Sequence, residues 1–244
     1  MSAKQPSPAQ ALSDLAREFS LYLEFAGANG LLAGSREPKE EQEPAPEKGE
    51  AAGDSLERVA REVEICRLCP LGESRTLAVP GEGSSSARLM VIGEAPGRRE
   101  DKVGRPFVGE AGRMLGKMLE SIGHPRPTVF ITNMVKCRPP DNRDPQPREI
   151  EICRPYLERQ LALIRPRAVL SLGRVSSQHL LRSSQPISRL RGRIHSLGDL
   201  EVHPTFHPAY LLRNPEDKRL TWTDLQQLQR RLAELENEEG TADP

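Results

Sequence analysis

The chain reads as an α/β protein built on an open parallel sheet, and three observations predict it. Four short apolar runs of buried-strand type, residues 89–92, 128–131, 167–172 and 202–205, recur along it; runs of this kind fit strands covered on both faces. Stretches with helical spacing separate them, the alternation expected of a sheet sandwiched between helices. The first run leads into a glycine-rich turn, GEAPG at 93–97, which such a sheet puts at its carboxyl edge, where open α/β folds place their ligand crevice.

Composition sets the bounds. With 244 residues, 36% of them hydrophobic, and 22 prolines, the chain is expected to hold one medium domain with unpacked appendages. No apolar run reaches the roughly 18 residues that span a bilayer, and the amino terminus lacks the basic, apolar and small-residue sequence of a leader. The expectation is therefore a cytoplasmic protein without a membrane partner. Its four cysteines then point to a metal or cofactor rather than a disulfide framework. Net charge is zero, from 35 basic and 35 acidic residues, but the distribution is uneven. Residues 54–220 carry 28 Lys and Arg against 20 Asp and Glu, and only four of those cations are lysines. An arginine-rich body between acidic ends is compatible with phosphate binding.

In chain order, residues 1–33 are expected to carry an amphipathic helix, with Leu12, Leu15, Phe19 and Leu23 on one face. It either docks on its own domain or binds an unknown protein partner. Residues 34–53, rich in Glu and Pro, read as a disordered linker with too little apolar surface to offset the entropy of ordering. Residues 54–236 form the main domain, and the polar residues 237–244 a disordered tail. Asp54 and Ser55 are cap candidates for a helix through Leu56, Val59, Val63 and Ile65, which delivers the CxxC pair Cys66 and Cys69.

After the turn, residues 104–108 (GRPFV) hold Phe107 between two glycines, a stiff aromatic near the strand end. A helix is expected over 109–118, and Asn133 should sit at the carboxyl edge beside Glu94. Cys137 opens the proline-rich loop RPPDNRDPQP, whose prolines forbid regular structure. The helix that follows, 147–164, bears Cys153, and Pro155 should kink or interrupt it. Gly173 opens another helix. Residues 187–195, with the basic turn RLRGRIH around Gly192, suit either a phosphate backbone or an unliganded hairpin. His207 stands at the end of the fourth strand, where a rigidly held imidazole suits chemistry. A closing helix over 218–235 should bury Trp222, Leu225, Leu228 and Leu232.

The cysteines form one CxxC pair and two singletons, with 67 and 15 residues intervening. Structural zinc sites more often use two paired knuckles, so the spacing favours a four-iron cluster, with zinc the alternative. Pro70 directly after Cys69 is also reminiscent of ferredoxin sites.

Together GEAPG, EDKVGRPFVGEAG, ITNMVKCRPPDNRDP, the four cysteines and HPAYLLR closely resemble the iron-sulfur uracil-DNA glycosylases, family 4 of the uracil-DNA glycosylase superfamily. The resemblance implies a monomeric base-excision repair enzyme that removes uracil from single- and double-stranded DNA and leaves an abasic site. It implies a three-layer α/β/α sandwich with a central four-stranded parallel sheet, and a structural 4Fe-4S cluster on Cys66, Cys69, Cys137 and Cys153. Phe107 would stack on an extruded uracil, Asn133 would pair with its edge, and His207 would stabilise the departing base. Glu94 would serve the cationic sugar, flanked by Gly93 and by Ala95, which stands where classical members carry a water-activating Asp, so positioning of the attacking water would fall to Glu94, to backbone or to DNA phosphate. Glu100 matches a guard against the thymine methyl group. Arg191, Arg193 and Arg213 are candidate phosphate contacts and Leu211 a candidate wedge, on loop position alone. The competing readings are a cluster-bearing DNA binder without activity and a nucleotide hydrolase using GEAPG as a phosphate loop; the absence of Lys-Ser/Thr after those glycines counts against the second.

Overall fold

The computed structural model describes residues 54–240. The expected amino-terminal helix and the linker before residue 54 lie outside the described residues, as do 241–244. None of the helices among the described residues is long and apolar enough to cross a membrane.

Four strands, β2 (Leu89–Gly93), β3 (Phe130–Asn133), β4 (Ala168–Leu172) and β6 (Leu200–Thr205), form a parallel core in the order β3-β2-β4-β6. Two short antiparallel strands extend it, β1 (Glu82–Gly83) on β3 and β5 (His195–Leu197) on β6. The four-stranded sheet expected from the sequence is thus the centre of a six-stranded one. Strands of two and three residues are too short to show a hydrophobic period, and β5 occupies part of the basic hairpin around Gly192. β3 starts at Phe130 rather than at Thr128 because Pro125 and Pro127 hold residues 126–128 in a 3-10 turn.

Strand residues alternate between two apolar layers. Leu89, Val91, Leu170 and Leu172 pack with Leu115 and Leu119 of α4 (Glu110–Ser121), Leu211 of α8 (Pro208–Arg213) and Leu225 and Leu228 of α9 (Lys218–Gly240). Met90, Ile92 and Val169 face the opposite layer, built from Leu71 of α2 (Leu71–Ser74), Ile150 and Leu157 of α5 (Pro147–Ile164) and Val175 of α6 (Arg174–Leu180). The result is the three-layer α/β/α sandwich. α1 (Leu56–Ile65) lies outside, its Val59 and Val63 packed toward Tyr156; its cap is Ser55, whose Oγ accepts from Arg58 N at 3.2 Å. Two short helices, α3 (Arg98–Val103) and α7 (Ile187–Leu190), stand in the connections after β2 and before β5.

Three other expectations need correction. α5 runs unbroken through Pro155. α9 continues to Gly240 instead of ending at Leu235, with Arg231 bonded to Glu234 and Glu238 on successive turns, so the first residues of the expected tail are helical. Trp222 is 41% exposed and Thr221 takes the inward position. The chain adds β3 on one side of β2 and β4 on the other, so the sheet changes direction at β2, where crevices open at the carboxyl edge.

Candidate active site and four-cysteine site

A cleft of about 440 Å³ opens at that edge, lined by Glu94, Ala95, Glu100, Phe107, Asn133, His207 and Arg213. Three strand ends supply it: the turn after β2, Asn133 closing β3, and His207 just past β6. Gly93 permits the close approach of the other two segments. A Cβ there would lie 2.4 Å from Asn133 Oδ1 and 2.6 Å from Phe107 Cζ, distances that any larger residue would have to force apart.

Phe107 adopts φ 52°, left-handed backbone that costs a non-glycine residue roughly 1–3 kcal/mol. Several contacts impose it. Arg126 donates from Nη1 to Phe107 O at 3.1 Å and from Nη2 to Pro106 O at 2.8 Å, and its Nη2 also meets Glu82 Oε1 at 2.7 Å. Arg105 Nε grips the other oxygen of Glu82 at 2.6 Å. Gly112 packs so tightly beneath that a Cβ would fall 1.7 Å from Phe107 O. Glu100, expected as a guard against a methyl group, accepts from Val108 N at 2.9 Å and Gly109 N at 3.0 Å. Its carboxylate thereby caps the amino end of α4 and fixes the backbone next to Phe107.

The Phe107 and His207 rings lie 5.7 Å apart, inclined by 33°. His207 is the N-cap of α8, and its Nδ1 accepts from Ala209 N at 3.2 Å. That bond requires Nδ1 to be unprotonated, so the neutral ring carries its proton on Nε2, as a donor. Burial, reinforced by the Arg213 cation, holds His207 down to about 4, so the ring is neutral at pH 7. The Asn133 amide is buried, and its Oδ1 has no hydrogen-bond partner among the described residues. An unmet acceptor of this kind costs roughly 1–3 kcal/mol. Burial, and then the adjacent Asp144 carboxylate, push Glu94 up to about 7, with Arg174 opposing. Arg174 is itself ion-paired to Asp144.

Asn142, Arg143 and Asp144 also line the cleft, and the sequence reading assigned none of them. They stand in the RPPDNRDPQP loop, where the prolines were the visible signal and the polar residues between them had no fixed direction. Arg143 is clamped to buried Glu149 by bonds of 2.9 and 2.7 Å, which anchors this loop to α5.

Two expected DNA contacts are differently placed. Arg191 Nε donates to Asp224 Oδ2 at 2.9 Å and its Nη2 to Leu220 O at 2.7 Å, with the guanidinium over Phe206, so its cation is committed internally. Leu211 is 1% exposed, within the core, whereas Leu212 is 41% exposed; α8 turns the first inward and the second outward, a choice of helix phase that the dipeptide does not reveal. Arg213 lines the cleft, and Arg193 lies in a separate basic depression with Ser188 and Arg189.

Behind β3 the four cysteines wall one small cavity, with Arg75, Lys136 and Tyr156. Cys66 is the C-cap of α1, Cys69 precedes α2, Cys137 follows β3, and Cys153 projects from α5. Among the described residues no group of three or more His, Cys, Asp or Glu forms a ready single-ion site. Arg75 Nη1 donates to Cys137 Sγ at 2.9 Å and Lys136 N to Cys153 Sγ at 3.3 Å. Burial pushes the Cys153 thiol up to about 11 and lowers the Lys136 ammonium to about 8.

The sequence profile of the uracil DNA glycosylase superfamily matches residues 80–228, a span that takes in every strand end forming the cleft. A type-4 uracil-DNA glycosylase of Sulfurisphaera tokodaii is 45% identical over 184 residues, 72% of this chain and 84% of its own length. The chain belongs to the type-4 branch of the uracil-DNA glycosylase superfamily. A type-4 enzyme of Thermotoga maritima is 42% identical over 175 residues, covering 70% of this family member and 91% of its own chain. Similarity extends more weakly to a type-5 uracil-DNA glycosylase of Pyrobaculum aerophilum, 32% identical over 172 residues, 64% of this chain and 75% of that one. The superfamily profile's span leaves out the amino-terminal residues and the CxxC pair Cys66 and Cys69.

Proposed function

We propose that this family member hydrolyses the bond between N1 of uracil and C1' of deoxyribose in single- and double-stranded DNA, leaving an abasic site for base-excision repair. The observation that carries the reading is the convergence in one cleft of an aromatic face, an amide with an unmet acceptor and a neutral imidazole donor.

Uracil within a duplex is out of reach, so the nucleotide is extruded at a cost of a few kcal/mol. Stacking on Phe107 offsets about 1–3 kcal/mol of that. The Asn133 amide accepts from uracil N3–H through Oδ1 and donates to O4 through Nδ2. Cytosine presents the reverse pattern and leaves both groups unmet, which is the stronger form of discrimination. As the N1–C1' bond breaks, negative charge gathers on uracil O2. His207 donates to it from Nε2, and because the ring is neutral it stabilises the anion without first surrendering a proton. A donor of this type typically contributes about 2.7–4 kcal/mol. Glu94, ionised in an appreciable fraction at pH 7, stabilises the cationic sugar and accepts the proton of the water that adds to C1'. Asp144 flanks it as a second carboxylate. Arg213 contacts phosphate at the cleft mouth and Arg193 lies on a more distant part of the path, while the wedge passes to exposed Leu212.

Cys66, Cys69, Cys137 and Cys153 would hold a 4Fe-4S cluster. The donor set fits: four thiols on one cavity wall, two N–H groups directed at their sulfurs and two cationic side chains beside them, the surroundings that anionic thiolate clusters take. With all four positions filled by protein, the group supplies cross-linking of α1, β3 and α5 rather than a reaction step. The same reading has the enzyme act as a cytoplasmic monomer.

The test is incubation of a labelled uracil oligonucleotide with the protein, then alkaline cleavage of abasic sites. Strand scission at the uracil position is expected, with cytosine and thymine controls intact. An uncut strand at high enzyme excess would overturn the proposal.

A further inference from the structure

Lys136 is 1% exposed, and among the described residues no carboxylate pairs with it. Its three ammonium hydrogens go to neutral acceptors: Thr132 Oγ1 at 2.6 Å, Gln160 Oε1 at 2.7 Å and the backbone oxygen of Asn133 at 2.9 Å. Neutral dipoles satisfy the donors but leave a full charge in the interior, which costs several kcal/mol when nothing of opposite sign is near. A methionine would fill the same space without that cost. The groups beside Lys136 that can become anionic are thiols: Lys136 is among the residues that line the four-cysteine cavity, and its backbone N–H donates to Cys153 Sγ.

We propose that Lys136 links the four-cysteine centre to the base pocket, balancing the negative charge of a thiolate-held cluster with its ammonium and fixing the strand end that carries Asn133 with its hydrogen bonds. The inference rests on the cluster reading above. Four thiolates bring more negative charge than the usual oxidised four-iron core neutralises, and the surplus falls on the cavity that Lys136 and Arg75 face. The same ammonium holds Asn133 O in place, while Thr132 Oγ1 and Gln160 Nε2 both donate to Pro80 O at 3.0 and 2.7 Å. One buried cation therefore joins α5, which delivers Cys153, to the last residue of β3, which faces the substrate. Lys136 is a positioning residue and touches no part of the reacting base.

The experiment uses full-length protein purified without oxygen and two variants, Lys136→Met and Lys136→Arg. Iron and sulfide content, the cluster midpoint potential, the rate of iron loss to a chelator, and kcat and KM on a uracil oligonucleotide are measured on each. The Met variant should show a more negative midpoint, since reduction adds an electron to a centre that has lost its neighbouring positive charge. It should also lose iron about tenfold faster and show kcat about tenfold lower with KM little changed. The Arg variant retains the charge and should keep the wild-type midpoint, but its planar fork cannot reproduce the three-way geometry, so kcat should still fall. A folded Met variant with wild-type midpoint and iron retention would overturn the charge-balancing role; one with wild-type kcat would overturn the positioning role. If the Met variant does not accumulate, a more negative midpoint in the Arg variant refutes charge balancing by itself. Wild-type protein free of iron and sulfide would instead remove the cluster reading on which the inference stands.

Discussion

Replacing Arg126 with alanine should disable the base pocket from a distance. Arg126 donates to the carbonyls of Pro106 and Phe107 and is braced by Glu82, and hydrogen bonds from a charged donor are worth roughly 1.5–3 kcal/mol each. What they hold is unfavourable in itself, because Phe107 at φ 52° stores roughly 1–3 kcal/mol. Without the clamp the loop relaxes, and only Glu100 and the tight packing against Gly112 still oppose it. Taking about 2 kcal/mol as the net preference lost, uracil excision under single-turnover conditions should slow about 30-fold, and the melting temperature should fall modestly, because the strain released at Phe107 offsets part of the lost hydrogen bonding. The decisive assay is a double-mutant cycle. Against a Phe107→Ala background, removing Arg126 should cost almost nothing further, since it acts through that ring. An equal 30-fold loss in both backgrounds would show that Arg126 works by another route, and the account of a strained, clamped aromatic would be wrong.

Three further outcomes follow from the site. Glu94 is raised to about 7, first by burial and then by Asp144, so kcat/KM should rise with pH through an acidic limb near 7. Asp144→Asn should move that limb to lower pH and Arg174→Ala to higher pH; a limb that stays fixed in both removes Glu94 as its source. His207 is depressed from its ordinary 6.5 to about 4, so the unfolded chain binds its proton first and stability falls as pH drops through that window. The loss is roughly 3 kcal/mol, and urea melts at pH 7 and pH 4.5 should show a shallower decline for His207→Gln than for the wild type. Leu211→Ala should lose about 2–5 kcal/mol of stability as a core truncation. Leu212→Ala should melt normally yet excise uracil more slowly from duplex than from single-stranded DNA, and equal slowing on both substrates would remove it as the wedge.

The amino-acid sequence by itself determined the layered α/β plan, the edge of the sheet at which chemistry sits, and the types of side chain available there. It could do so because both-face burial leaves a continuous apolar run in each core strand, and because glycine turns and rigid strand ends are local properties. The phase of α8 was not local. Leu211 and Leu212 are chemically identical, and only packing against α4 and α9 turns one into core and the other toward solvent. The pairing of Arg191 with Asp224, 33 residues away, likewise required the two segments to be brought together, which converted an apparent DNA contact into an internal tie. Asp144 and Asn142 were visible as letters in a proline-rich loop, yet their direction depends on Arg143 reaching Glu149. The protonation states of Glu94 and His207 and the isolation of the Lys136 charge belong wholly to the tertiary structure. They arise from exclusion of water and from neighbours delivered by other elements, and no spacing along a chain encodes a dielectric environment.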